Sequence, residues 1–196
     1  MSRFPAYMKH ADDYRDQFKP EKKKLNSAYL AGFDVFLNKD PERGAEFSMS
    51  ATEKGIELQA ICKSFGIEGR YPLDNEIKGG FSSAEGMANE ICWANYGMLF
   101  ESDCIIANVN AFRGYEPDSG TSAEIAFAIA HKKPVFLYLS DDRPIYEKVP
   151  HTQGVDEGGF LVENFNLPVN LMIACPAAHI ARSFEEAVKA AVSFHL

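Results

Sequence analysis

Short, continuous apolar runs alternate along the chain with longer stretches whose apolar residues recur at helical spacing. Residues 27–32 (SAYLAG) form a short apolar run stopped by glycine, and residues 103–109 (DCIIANV) and 134–140 (PVFLYLS) are apolar at nearly every position. Runs of that length without a polar face predict strands covered on both sides. Residues 67–73 (IEGRYPL) are a weaker strand candidate, and residues 170–175 (NLMIAC) predict a last short strand. Residues 45–66, 83–102, about 121–132 and 183–195 read as helices, the last one amphipathic. The alternation predicts an α/β fold, a parallel sheet with helices on both faces. Ligands of such sheets gather outside the carboxyl ends of the strands, which points to the loops after Gly32, Leu73, Val109 and Ser140.

Residues 1–24 do not share this pattern. They are polar and charge-rich, and are read as an appended arm, either a loose helix or a mobile segment, before a single domain over residues 25–196. The chain of 196 residues is long enough to bury a core, and with 46% hydrophobic residues it is not globally disordered. A net charge of -8 argues against nucleic acid as a partner. Cys62, Cys92, Cys104 and Cys175 are widely spaced and read as reduced thiols; without an apolar leader or a membrane-length run, the expectation is a cytoplasmic protein. His10, His131, His151, His179 and His195 lack ligand spacing, so no metal site is expected. Dinucleotide-binding, P-loop, zinc-protease and nucleophile-elbow motifs are missing as well.

The stretch 112–130 (FRGYEPDSGTSAEIAFAIA) carries the candidate chemistry. Glu124 has a plain reading as the far half of a capping box, with Thr121 as N-cap. It has a chemical one too, because an apolar helix behind a ligand-side loop sets a carboxylate in a pocket floor. A helix N-terminus would hold that carboxylate ionised, suited to attack an anomeric carbon as in retaining glycosyl transfer. Asp118, six residues earlier, is either an Asx-turn residue or an acceptor for sugar hydroxyls. Tyr29 is either core or a phenol that orients Glu124.

Taken together, AYLAG (28–32), RYPLDNEIKG (70–79), DCIIANV (103–109), FRGYEPDSGTSAEIAFAIA (112–130) and LPVNLMI (167–173) resemble the nucleoside 2-deoxyribosyltransferase family, in its trypanosomatid-type branch. The resemblance spans about residues 27–184, and its most specific part is FRG-x-EPD-x-GT-x-x-E. It implies a flavodoxin-like, doubly wound five-stranded parallel sheet and a ping-pong exchange of bases on 2′-deoxyribose, without metal or cofactor. The implied partners are 2′-deoxynucleosides and free nucleobases. Glu124 matches the family nucleophile, Tyr29 the tyrosine that positions it, and Asp118 a residue that binds the sugar hydroxyls. Asn170 matches an asparagine donated by a neighbouring subunit, which implies a homo-oligomer, and Met172 lines the same wall.

Gly32 and Phe33, in the loop after the first strand, belong to the same implied substrate site. Asp74 and Glu76 fall where the family contacts the base, and Glu76 stands where some members carry glutamine. Asn95 stands where many members carry an aspartate that helps protonate the departing base. An amide can hydrogen-bond a ring nitrogen but is no acid at neutral pH, which shifts that task to hydrogen bonding or water. Asp103, at the far end of its strand, reads as structural. Two other readings remain open on sequence: a hydrolase of the same superfamily acting on 2′-deoxynucleoside 5′-monophosphates, and a non-catalytic nucleotide sensor.

Overall fold

A computed structural model describes residues 11–75, 79 and 83–195. Its helices are α1 (Ala11–Phe18), α2 (Ala51–Ser64), α3 (Ala84–Glu101), α4 (Ser119–Ala130), α5 (Ile145–Lys148), α6 (Leu171–Ala174) and α7 (Phe184–Val192). Its strands are β1 (Ser27–Ala31), β2 (Glu68–Arg70), β3 (Cys104–Asn108), β4 (Val135–Tyr138), β5 (His151–Thr152), β6 (Val155–Asp156) and β7 (His179–Ala181). β5 and β6 form a small antiparallel hairpin, and the other five make one parallel sheet in the order β2-β1-β3-β4-β7. That is the flavodoxin-like winding order, with the switch point between β1 and β3.

Alternation along the strands builds two cores, one on each face. Ala28, Leu30, Cys104, Ile106, Phe136 and Tyr138 pack with Leu58 of α2 and Val188 of α7. Tyr29, Ala31, Ile105, Ala107 and Leu137 pack with Leu99 of α3, Ile125 of α4 and Ile173 of α6. β1, β3 and β4 are buried along their whole lengths, as their unbroken apolar runs require. None of the described helices is long and apolar enough to cross a membrane.

Three expectations need correction. Residues 170–175 are not a strand: Asn170 caps the short helix α6 by accepting from the Met172 N–H, and Ile173 and Ala174 N–H groups both donate to the Asn170 carbonyl. The fifth strand is β7, three residues on the sheet edge with only Ala181 buried, too short to leave an apolar run. The helix expected over residues 45–66 starts at Ala51, where Ser50 and Glu53 form a capping box. Pro41–Arg43 and Ala45–Phe47 are separate 3-10 turns. The weak strand at residues 67–73 shrinks to β2, and Pro72–Asp74 turns into a 3-10 helix.

The arm contains α1 and is fastened near its end. Lys23 Nζ donates to Asp103 Oδ1 at 3.0 Å, while Asp103 Oδ2 accepts from the Asn26 and Ser27 N–H groups at 2.9 and 3.2 Å. Asp103 precedes β3, so these bonds lie at the amino end of the sheet, and the structural reading of this carboxylate fits its partners.

Candidate active site

Tyr29 is the middle residue of β1 and is fully buried on the face covered by α3 and α4. Its hydroxyl donates to Glu124 Oε1 at 2.6 Å, a bond between residues 95 apart in sequence. The sheet fixes the phenol and α4 fixes the carboxylate, so the pair is set before any ligand arrives.

The capping reading of Glu124 does not hold. α4 begins earlier than expected, and its N-cap is Asp118, whose Oδ2 accepts from Thr121 N at 3.0 Å and Thr121 Oγ1 at 3.2 Å. Thr121 is therefore inside the helix, and Glu124 lies in the second turn with its side chain turned to Tyr29. This also reverses the expected electrostatics. Burial lifts the Glu124 carboxyl, the Tyr29 hydrogen bond opposes the rise, and the Asp118 carboxylate adds to it, leaving the group at about 7. The helix dipole acts mainly within the first turn and does not prevent this. The Tyr29 phenol is driven well above its ordinary range, first by burial and then by the Glu124 charge. It therefore stays a donor at any ordinary pH.

The other candidates lie around the same carboxyl edge. Gly32, just past β1, is pressed against its neighbours: a Cβ there would fall 2.7 Å from both Asn108 Cβ and Asp34 Oδ2. Phe33 stacks on Phe112 with centroids 5.2 Å apart, and Phe36 also stacks on Phe112 at 5.5 Å. The Arg113 guanidinium lies 4.7 Å from the Phe112 ring centroid. Asp74 Oδ2 accepts from Tyr71 N at 3.0 Å and Gln59 Nε2 at 2.6 Å. Asn95, on α3, accepts through Oδ1 from Asn75 Nδ2 at 2.8 Å, which ties α3 to the loop after β2. Glu76 lies outside the described residues.

Asn170 Nδ2 donates to Glu163 Oε1 at 2.7 Å, and its Oδ1 accepts from Met172 N at 2.9 Å. Glu163 Oε2 accepts from Leu171 N at 3.0 Å, so one carboxylate fixes both the amide and the start of α6. Met172 is 72% exposed. The structure thus joins Tyr29 to Glu124, holds Asp118 at the mouth of the same helix, pairs Asn95 with the loop of Asp74, and links Asn170 to Met172.

Three further residues went unread in the sequence. Asn75 stands inside the PLDN motif, and Tyr96 follows Asn95, with its ring 4.9 Å from Phe127 and its phenol close enough to raise Tyr29. Glu163 sits in a long loop whose sequence carries no signal.

The sequence pattern of the family described as nucleoside 2-deoxyribosyltransferase matches residues 28–172. A 2-deoxyribosyltransferase from Leishmania mexicana is 32% identical, with a TM-score of 0.67 over 87% of this chain and 99% of that one. The chain belongs to the nucleoside 2-deoxyribosyltransferase family. Two more distant structures share the fold. One is a 2-deoxyribosyltransferase from Bacillus psychrosaccharolyticus, 15% identical with a TM-score of 0.51 over 83% of this chain and 90% of that one. The other is a conserved protein from Enterococcus faecalis, 18% identical with a TM-score of 0.51 over 88% and 99%. The comparison with curated proteins gave no match.

In this deoxyribosyltransferase-family chain, Asp118 has two separable effects, the cap on α4 and the charge that raises Glu124. Asp118→Asn keeps a capping oxygen and removes the charge, since asparagine caps about as well as aspartate. The expected outcome is a Glu124 carboxyl that titrates below about 7, read by carbon NMR of the Glu124 carboxyl, with a small accompanying gain in thermal stability at and above neutral pH.

Proposed function

We propose that the protein transfers 2-deoxyribose between nucleobases by a retaining ping-pong mechanism through a deoxyribosyl ester of Glu124. The observation that carries this reading is the 2.6 Å bond from the buried Tyr29 phenol to Glu124, within a chain of this family. The bond occupies Oε1 and leaves Oε2 to attack the anomeric carbon on the face opposite the base. As that C–O bond forms, the C–N bond breaks and its electron pair leaves with the base, which takes up a proton. A nitrogen of the incoming base then attacks the same carbon, the ester C–O bond breaks, the carboxylate is regenerated and the acceptor gives up its proton. Two inversions give net retention.

In this reading Asp118 accepts from the sugar hydroxyls. Asn95 hydrogen-bonds the base, with Asp74 beside it, and Gly32 and Phe33 form the near wall; Glu76, outside the described residues, keeps the base-contact role that the family resemblance implies. Tyr29 orients Glu124 and keeps its carboxyl lower than burial alone would leave it. Asn170 and Met172 complete the site of a neighbouring copy. The exposed Met172, Phe160, Leu161 and Phe165 suit such contact. Sedimentation is expected to show more than one subunit.

Incubation with 2′-deoxyinosine and adenine is expected to give 2′-deoxyadenosine and hypoxanthine, with little hypoxanthine when adenine is withheld. Equal release of hypoxanthine with and without adenine, and no new nucleoside, would instead make the protein a hydrolase.

A further inference from the structure

On the opposite face of the sheet from Glu124 lies a polar chain that the reaction does not touch, buried at Asp34 and Asn108 and running out to the half-buried Asn110 and the exposed Ser140. Asp34, in the 3-10 turn after Gly32, and Asn108, the last residue of β3, are each 5% exposed, and Tyr138, the last residue of β4, is 8% exposed. Asn108 Nδ2 donates to Asp34 Oδ2 at 2.8 Å, and the Tyr138 hydroxyl donates to the same oxygen at 3.5 Å. Asn108 Oδ1 accepts from Asn110 N at 3.1 Å and Asn110 Nδ2 at 2.7 Å. Asn110 Oδ1 accepts from Ser140 N at 2.9 Å and Ser140 Oγ at 2.8 Å.

The polarity of this chain is fixed by two groups that can only donate. The Ser140 backbone N–H forces the oxygen of the Asn110 amide toward Ser140, and the Asn110 backbone N–H forces the oxygen of the Asn108 amide toward Asn110. The Asn108 NH2 group is left facing Asp34, where a carboxylate is the matching acceptor. Every bond therefore points the same way and the series ends on one anion, an arrangement in which successive bonds polarise one another. The Tyr71 hydroxyl is also buried there, has no hydrogen-bond partner among the described residues, and feels the Asp34 charge.

The chain joins three loops at the switch point: the one after β1 that carries Gly32 and Phe33, the one after β3 that leads to Asp118 and Glu124, and the one after β4. We infer that Asp34 is a positioning residue for the transfer reaction, its carboxylate serving as the terminal acceptor of the amide chain that clamps these loops together. The inference rests on the transferase reading for its catalytic consequence, but the clamp itself is independent of it. Asp34 acts through Asn108 and Asn110 and does not reach Glu124, which lies across the sheet.

The test compares wild type with Asp34→Asn and with the transposed pair Asp34→Asn/Asn108→Asp. Asp34→Asn keeps the shape and one acceptor oxygen but removes the charge and puts a donor in place of the second oxygen. It is expected to speed amide hydrogen exchange at Asn110 and Ser140 by at least about tenfold. It should also lower kcat/KM for base exchange by about ten- to a hundredfold through misplacement of the site loops, and raise the share of deoxyribose lost to water. The transposed pair puts the anion at position 108, where it accepts from Asn110 and from the amide now at position 34. Amide protection and the ratio of exchange to hydrolysis should both return toward wild type.

Wild-type amide protection in Asp34→Asn overturns the clamp. Lost protection with an unchanged exchange-to-hydrolysis ratio makes Asp34 structural only and overturns the positioning role, as does a transposed pair that folds without recovery. An inactive wild type whose amides still respond to Asp34→Asn would overturn the transferase reading, and the positioning role with it, while leaving the clamp standing.

Discussion

Replacing Glu124 by glutamine is expected to abolish base exchange and, at the same time, to stabilise the protein above neutral pH. An amide has no anionic oxygen to form the sugar ester, so turnover should fall by at least about a thousandfold. The stability effect follows from where the carboxylate sits. Its folded value is raised from 4.5 to about 7, chiefly by burial. Between those values the folded state binds more protons than the unfolded one, so wild-type stability falls as pH rises through that window. The deficit is complete above pH 7 and amounts to about 3 kcal/mol. Glutamine keeps an oxygen to accept from Tyr29 and carries no charge. Thermal melts should therefore place Glu124→Gln about 5 to 10 °C above wild type at pH 8, and the two curves should converge below pH 4.5. A stabilised variant that still exchanges bases would show that this carboxylate is not the nucleophile.

Tyr29→Phe should move the pH dependence of the reaction. In the proposed mechanism Glu124 must be ionised to attack, so kcat/KM should rise through about pH 7 in the wild type. The phenol hydrogen bond opposes the effect of burial on Glu124, and its loss lets the carboxyl titrate higher still. A charge-assisted bond of this kind is worth about 1.5–3 kcal/mol, which corresponds to an acid limb displaced upward by about one to two pH units. Near neutrality the variant should lose about tenfold or more, with part of the loss recovered at pH 9. A pH–rate profile reads this directly. A loss of equal size at every pH would mean that Tyr29 orients Glu124 without tuning it.

Much of this fold is legible because its central strands are buried on both faces. β1, β3 and β4 announce themselves as apolar runs, and the helices between them follow from periodicity and glycine stops. What fails is the periphery. β7 has three residues on a half-exposed edge, and the more apolar NLMIAC attracts the strand reading, although Asn170 caps a helix there. The start of α2 was available in principle, since Ser50 and Glu53 have capping-box spacing.

The site divides in the same way. Asp118 and Glu124 stand six residues apart on one element, but two overlapping local patterns, Asp118 capping at Thr121 and Thr121 capping at Glu124, compete for the start of the helix, and the first prevails. The Tyr29–Glu124 bond joins a strand to a helix far along the chain, and local spacing carries no trace of it. The pairing of Asn95 with Asn75 and of Asn170 with Glu163 is hidden for the same reason. The sequence alone offers Glu124 as the group that Tyr29 orients, and the family resemblance supplies Asn170; the structure supplies the 2.6 Å bond and Glu163 as the partner of Asn170.

The attachment of Lys23, Asn26 and Ser27 to Asp103 has a practical side. It fixes the exit of the chain at the amino end of the sheet, with the length of the strands between it and Glu124. A tether attached at the exposed Lys24, beside that anchor, would therefore leave the mouth of the candidate site facing the bulk solution.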